Sequence, residues 1–158
     1  MRSPLALFCS LALASVGAAC AHAPANSARA GDGSAVVLRG HRISVEIAAD
    51  EISRAHGLMD RTHMPADHGM LFVFPDQAVR TFWMKDTLIP LDMLFLDARR
   101  RIVTVLRDVP PCKADPCPIY PSTQPARYVL ELNGGAAARL GAREGDTAKF
   151  INVPPATH

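Results

Sequence analysis

The sequence predicts a mainly β domain, a compact antiparallel barrel-like or sandwich fold with two short helices. Three observations predict it. Apolar runs of strand length recur between turn signals built from Gly, Pro, Asp and Asn. Several of these runs alternate apolar and polar residues with period two, as a strand with one wet face does. Strands and long helices do not alternate along the chain, which argues against a parallel α/β sheet.

Ile43, Val45 and Ile47 alternate with Ser44 and Glu46, and Val36 to Leu38 before Arg39-Gly40 supplies a hairpin partner. Asp50 is placed to cap a short helix that begins at Glu51 and ends near Gly57. Met70 to Phe74, closed by Pro75, and Thr81 to Met84 are short apolar runs that read as buried strands. Leu91 to Leu96 and Ile102 to Leu106 flank Asp97-Ala98-Arg99-Arg100, a hairpin with a basic tip. Tyr128, Leu130 and Leu132 alternate with Val129 and Glu131 in another strand. Ala136 to Leu140 forms a helix of one or two turns that Gly141 stops, and Thr147 to Val153 is the last strand.

A hydrophobic share of 49% and a formal charge of +2 in 158 residues exclude a disordered chain and fit one globular domain. After the first twenty residues no sustained charge-free apolar run remains, so a polytopic membrane protein is excluded. The charge gives no argument for nucleic acid, and Arg99-Arg100-Arg101 reads as a solvated turn. The N-terminus is different. Met1-Arg2-Ser3 followed by the apolar stretch Leu5 to Val16 and then small residues has the form of a secretory leader. Cleavage after Ala23 fits the small-x-small pattern of Ala21-His22-Ala23, whereas cleavage before Cys20 would leave that cysteine as a lipidated N-terminus. The expected organisation is therefore a leader over residues 1–23, a flexible linker over 24–35, one domain over 36–153 and a tail over 154–158. The protein is expected to be exported to the periplasm, free or lipid-anchored to the envelope.

Cys112 and Cys117 lie among Pro110, Pro111, Pro116, Pro118, Pro121 and Pro125, a composition that resists regular structure and predicts an exposed loop. In an exported protein the two cysteines would form a structural disulfide, contributing about 2 kcal/mol through loop closure. Their spacing is not that of a redox-active pair.

Two segments bear on function. In Phe82-Trp83-Met84-Lys85-Asp86-Thr87, an extended backbone turns Trp83 and Lys85 to one side and Phe82 and Met84 to the other. A flat indole beside an ammonium, with Asp86, Thr87 and Asp92 following and Arg61 nearby, is a candidate ligand surface. The bland alternative places Trp83 in the core, with Lys85 paired to an aspartate and Asp86-Thr87 holding a turn. In the second segment, His56, Met59, His63, Met64, His68 and Met70 combine imidazole and thioether, soft ligands suited to copper. Core packing of the methionines and irregular histidine spacing weigh against a metal set, and no cofactor is expected. No Gly-x-Ser-x-Gly motif and no P-loop is present.

Taken in order, Gly57-Leu58-Met59-Asp60-Arg61, Gly69 to Pro75, Phe82 to Thr87 with Ile89-Pro90-Leu91-Asp92, Tyr120-Pro121-Ser122, Tyr128 to Glu131 and Gly145-Asp146 resemble the family called domain of unknown function 192. The resemblance runs from Val36 to Val153 and implies a compact, barrel-like β domain, often exported, without a biochemical activity to carry over. Where the family has Lys-Asn-Thr, this chain has Lys85-Asp86-Thr87, keeping an acceptor and losing a donor. The functional expectation is a non-enzymatic envelope domain that binds a small molecule, a peptide or an envelope protein through Arg61, Trp83, Lys85, Asp86, Thr87 and Asp92. The competing expectations are a hydrolase or lyase of envelope material using Asp86 or Asp92 as general base, and a copper-handling protein.

Overall fold

The computed structural model describes residues 30–157. The expected leader, Cys20 and the N-terminal part of the linker lie outside the described residues. Strands β1 (Ala30–Leu38) and β2 (His41–Ala48) form the expected antiparallel hairpin. Arg39 and Gly40 both have positive φ, as a two-residue turn between twisted strands requires. β1 begins inside the segment expected to be linker. Ala35 and Val36 are buried between β2 and β9 (Lys149–Ile151), and the Ser34 hydroxyl donates to the Asn152 carbonyl at 2.8 Å. A chain whose backbone is paired on both sides is sheet and not tether.

Helix α1 (Glu51–His56) starts at the expected cap. The Ser53 amide donates to the Asp50 carboxylate at 2.8 Å, and the Asp50 amide returns a bond to the Ser53 hydroxyl at 3.2 Å. The Ser53 amide and the Ser53 hydroxyl, each donating to the Asp50 carboxylate at 2.8 Å, hold that carboxyl below its ordinary value. After α1 the chain enters β3 (His68–Ala78), which runs parallel to β2, the one parallel pairing of the main sheet among the described residues. Pro75 does not end β3. The register against β8 (Ala126–Asn133) shifts between Val73 and Ala78, an irregularity that absorbs a residue with no amide donor.

β5 (Leu91–Leu96) and β6 (Ile102–Val109) make the basic-tipped hairpin, where the Asp97 carboxylate accepts from the Arg99 and Arg101 amides. The arginine run is exposed there, as expected of a solvated turn. α2 (Ala136–Arg139) is the second short helix. The order of the main sheet is β6-β5-β8-β3-β2-β1-β9. Its two ends approach each other through a bridge between Arg101 and Thr147 and a 2.8 Å bond from the Ile102 amide to the Asp146 carbonyl. The sheet therefore curls into an incomplete barrel, and residues from both ends, Val36 and Leu38 with Leu96 and Ile102, share one core. The tail docks as well, with the Thr157 amide donating to the Ala49 carbonyl.

A second core lies on the other face of β3, β8 and β5, around Met70, Phe72, Met93, Phe95 and Val129. It is covered by a small sheet of β4 (Thr81–Trp83) and β7 (Ile119–Pro121). Two expectations are corrected at this place. β4 is not a buried strand, because only Phe82 and the following Met84 turn inward while Trp83 stays half exposed. The proline-rich segment is not irregular throughout, since Ile119 to Pro121 pairs with β4 and Ser122 is buried.

Candidate functional site

β8 is the central strand of the face just described, and its side chains alternate. Leu130 and Leu132 enter the barrel core, while Val129 and Glu131 turn toward the second core. Glu131 stands opposite Met70 on β3 and Met93 on β5. It is 4% exposed, and among the described residues its carboxyl makes no hydrogen bond or ion pair. Burial pushes it up from 4.5 to about 8, so it is protonated at neutral pH and can donate as well as accept.

Above Glu131 opens a cleft of about 310 Å³, bounded by α1, β4 and the Phe72 and Phe74 side chains of β3. Phe72, Phe74 and Phe82 line its walls. Phe82 packs edge-to-face on Phe72 at 5.0 Å, on Phe74 at 6.4 Å and on Phe95 at 5.7 Å, which fixes the wall. Trp83 forms the rim, 50% exposed, with the Lys85 Nζ 5.5 Å from its ring centroid. Arg54 reaches over from α1. Its guanidinium donates to the Ala49 and Val73 carbonyls and lies 5.4 Å from the Phe74 ring. Buried Thr87 also lines the cleft, its hydroxyl donating to the Lys85 carbonyl at 3.2 Å.

Residues 35–150 match the profile of DUF192, a family described as an uncharacterized ACR. The chain belongs to the DUF192 family. Two solved structures resemble it. One is a protein from Sinorhizobium meliloti 1021 described as a "putative transcription regulator", 37% identical, with a TM-score of 0.68 over 76% of this chain and 93% of that one. The other is a protein of unknown function from Novosphingobium aromaticivorans DSM 12444, 35% identical, with a TM-score of 0.66 over 73% of this chain and 82% of that one. No curated protein matches.

Within this DUF192 domain the residues singled out in the sequence fall into separate places. Trp83, Lys85 and Thr87 come together on the cleft. Asp92 does not, and its place in the ligand surface is corrected. It pairs in register with Leu132, one position from the Met93 and Glu131 pair, and so faces the opposite side of the sheet. Fully buried, it accepts from the amides of Asp108 at 2.7 Å, Gly135 at 3.0 Å and Ala137 at 2.6 Å. It ties the end of β6 to the start of α2, and its oxygens have no room for substrate.

Asp86 is exposed outside the cleft lining, with φ at +52°. Its carbonyl accepts from the Asp60 amide at 2.8 Å. Asp is among the non-glycine residues most tolerant of this backbone, so Asp86 suits the turn. Arg61 is bound to the buried Glu46 at 2.7 Å, and Glu46 also meets His68 at 3.2 Å. The pair fastens the segment after α1 to β2 and leaves Arg61 outside the cleft.

The His and Met segment is likewise dispersed. His56 and Met59 reach the cleft, His63 is exposed, Met64 and Met70 are core, and His68 is held by Glu46. Among the described residues no three His, Cys, Asp or Glu side chains gather in a metal-holding group. Cys112 and Cys117 are bonded to each other, as the loop reading expected.

Sequence reasoning missed Glu131, which it read only as an alternating position of its strand. The available signal was indirect. Met70 to Phe74 and Leu91 to Leu96 are continuous apolar runs, which implies that both faces of the strand between them are covered.

Proposed function

We propose that this DUF192 domain is a non-enzymatic ligand-binding domain of the bacterial envelope, taking a small molecule or a peptide side chain in the cleft above Glu131. One observation carries the reading: the carboxyl of Glu131, a residue only 4% exposed and without a partner among the described residues, forms the floor of an open, aromatic-walled cleft. Buried polar groups are ordinarily paired, and one left to face a cleft is paired by what enters it. The half-exposed Trp83, with Lys85 over its ring, favours this reading over the one that buries the indole.

The enzymatic alternative loses its two candidates. Asp92 faces away with its oxygens occupied, and Asp86 sits at a turn outside the cleft lining. The description attached to the Sinorhizobium relative suggests a regulator, but a formal charge of +2 gives no argument for nucleic acid. Export rests on the leader pattern at Met1 to Ala23 and is supported by the Cys112 to Cys117 disulfide, which persists in oxidising compartments. The lipid-anchored form would carry its anchor on Cys20, with residues before β1 as tether.

Amide and side-chain NMR shifts recorded against a fragment library of anionic, neutral and cationic compounds test the binding reading. Saturable shifts that cluster on Phe72, Phe82, Trp83 and Glu131 are expected. Hits that all map elsewhere would overturn it. Mass spectrometry of the mature N-terminus tests export: a chain beginning at lipidated Cys20 or at Pro24 is expected, and one retaining Met1 contradicts it.

A further inference from the structure

We infer that the cleft selects an amphipathic anion: an aromatic or branched apolar body, an acid group held at the rim by Lys85 and Arg54, and a hydrogen-bonding group at the inner end facing Glu131. The inference rests on the binding reading above and adds the class of ligand. Size, charge and polarity each contribute. A volume of about 310 Å³ is at the small end for ligand sites, room for a single ring with a short chain. The walls are phenylalanine rings, which exclude a polar body.

The charged groups lining the cleft are Glu51, Arg54, Lys85 and Glu131, together with His56. Lys85 has no carboxylate within ion-pair distance among the described residues, and Arg54 is bound only to carbonyl oxygens. Neither cation is paired with a carboxylate among the described residues. Glu131 contributes no negative charge while protonated, and Met70 and Met93 on either side of it are apolar. Glu46 stands beyond Met70 and is already paired with Arg61. Among the described residues that line the cleft, Glu51, exposed in the first turn of α1, is then the one carboxyl side chain besides Glu131 to offset Lys85 and Arg54. A cationic ligand would have to pass Lys85 and Arg54 and force a charge onto a carboxyl already held neutral by desolvation. An acid meets a cation stacked on a flat indole at the rim, and a hydroxyl or carbonyl at its far end accepts a hydrogen bond from Glu131.

Titration of the full chain, followed by Trp83 fluorescence and calorimetry, separates the alternatives with four probes of one shape. These are 3-(4-hydroxyphenyl)propanoate, its amide, the corresponding amine, and 3-phenylpropanoate, which lacks the inner hydroxyl. The hydroxylated acid is expected to bind tightest. Lys85→Met is expected to weaken it about tenfold, the effect of losing one charge-assisted contact at an exposed rim. Glu131→Leu is expected to weaken the hydroxylated acid and leave 3-phenylpropanoate nearly unchanged, a coupling that a merely structural role would not give. Raising the pH through 8 is expected to weaken the hydroxylated acid in the parent chain alone, as Glu131 ionises. Tightest binding by the amine, equal binding by acid and amide, no binding by any of the four, or indifference to Lys85→Met would each overturn the inference. The fragment maps judge the cleft itself, because they include neutral and cationic compounds.

Discussion

Asp92 and Glu131 stand on neighbouring strands of one sheet, one rung apart, both buried and both acidic. Asp92 is surrounded by three backbone amides, while Glu131 has methionines on both sides and a cleft above it. The first is a fastener that the fold needs. The second is a group that the fold tolerates at a cost, since burying a carboxyl without partners opposes folding. The difference separates structure from function more sharply than burial alone, because it lies in what completes each group's hydrogen bonds.

Substitution should separate the two sites most strongly. Asp92→Ala leaves the buried Ala137 amide and the part-buried Asp108 and Gly135 amides without an acceptor, and a loss of about 3 kcal/mol is expected in urea denaturation. Glu131→Leu, which replaces a lone carboxyl with an apolar group between two methionines, is expected to fold normally and to equal or exceed the parent in stability at pH 8. An equal loss for both would break the comparison.

Stability against pH gives the next largest effect. The folded chain holds the Glu131 proton up to about pH 8, whereas an unfolded chain releases it near 4.5. Within that window the folded state binds more protons, so stability falls as pH rises from 4.5 to about 8 and levels off above it. The fall contributed by Glu131 is on the order of a few kcal/mol, and Glu131→Leu is expected to flatten it in denaturation curves recorded across that range.

Removing the disulfide with Cys112→Ser and Cys117→Ser acts on the loop before β7 and therefore on the wall of the cleft. It is expected to cost about 2 kcal/mol and to leave the Asp92 side of the sheet unchanged in hydrogen exchange. The smallest effect is expected from Asp86→Asn, within about 0.5 kcal/mol, because both residues tolerate the turn. A marked change in probe affinity would show that Asp86 acts on ligand and not only on backbone.

What was legible in the sequence was local. The β1 and β2 hairpin, the Asp50 cap, the Asp97 turn and the stop at Gly141 each depend on neighbours a few residues apart. The parallel pairing of β2 with β3 was not legible, because nothing in either strand specifies which partner lies alongside it. β7 was hidden by its prolines, which leave a strand possible at a sheet edge. Asp92 was grouped with Lys85 by closeness along the chain. All six residues of β5 are buried, so no alternation in the sequence shows which face each side chain takes. Glu131 was hidden for the opposite reason: its strand does alternate, but the polar position faces a second core and not water.

Glu131 holds a protonated carboxyl at the floor of the cleft, without a partner among the described residues. Titration of its side-chain carboxyl by carbon-13 NMR in the ligand-free protein tests this most directly. The account predicts a midpoint near 8, and a midpoint at the ordinary value of 4.5 would contradict it.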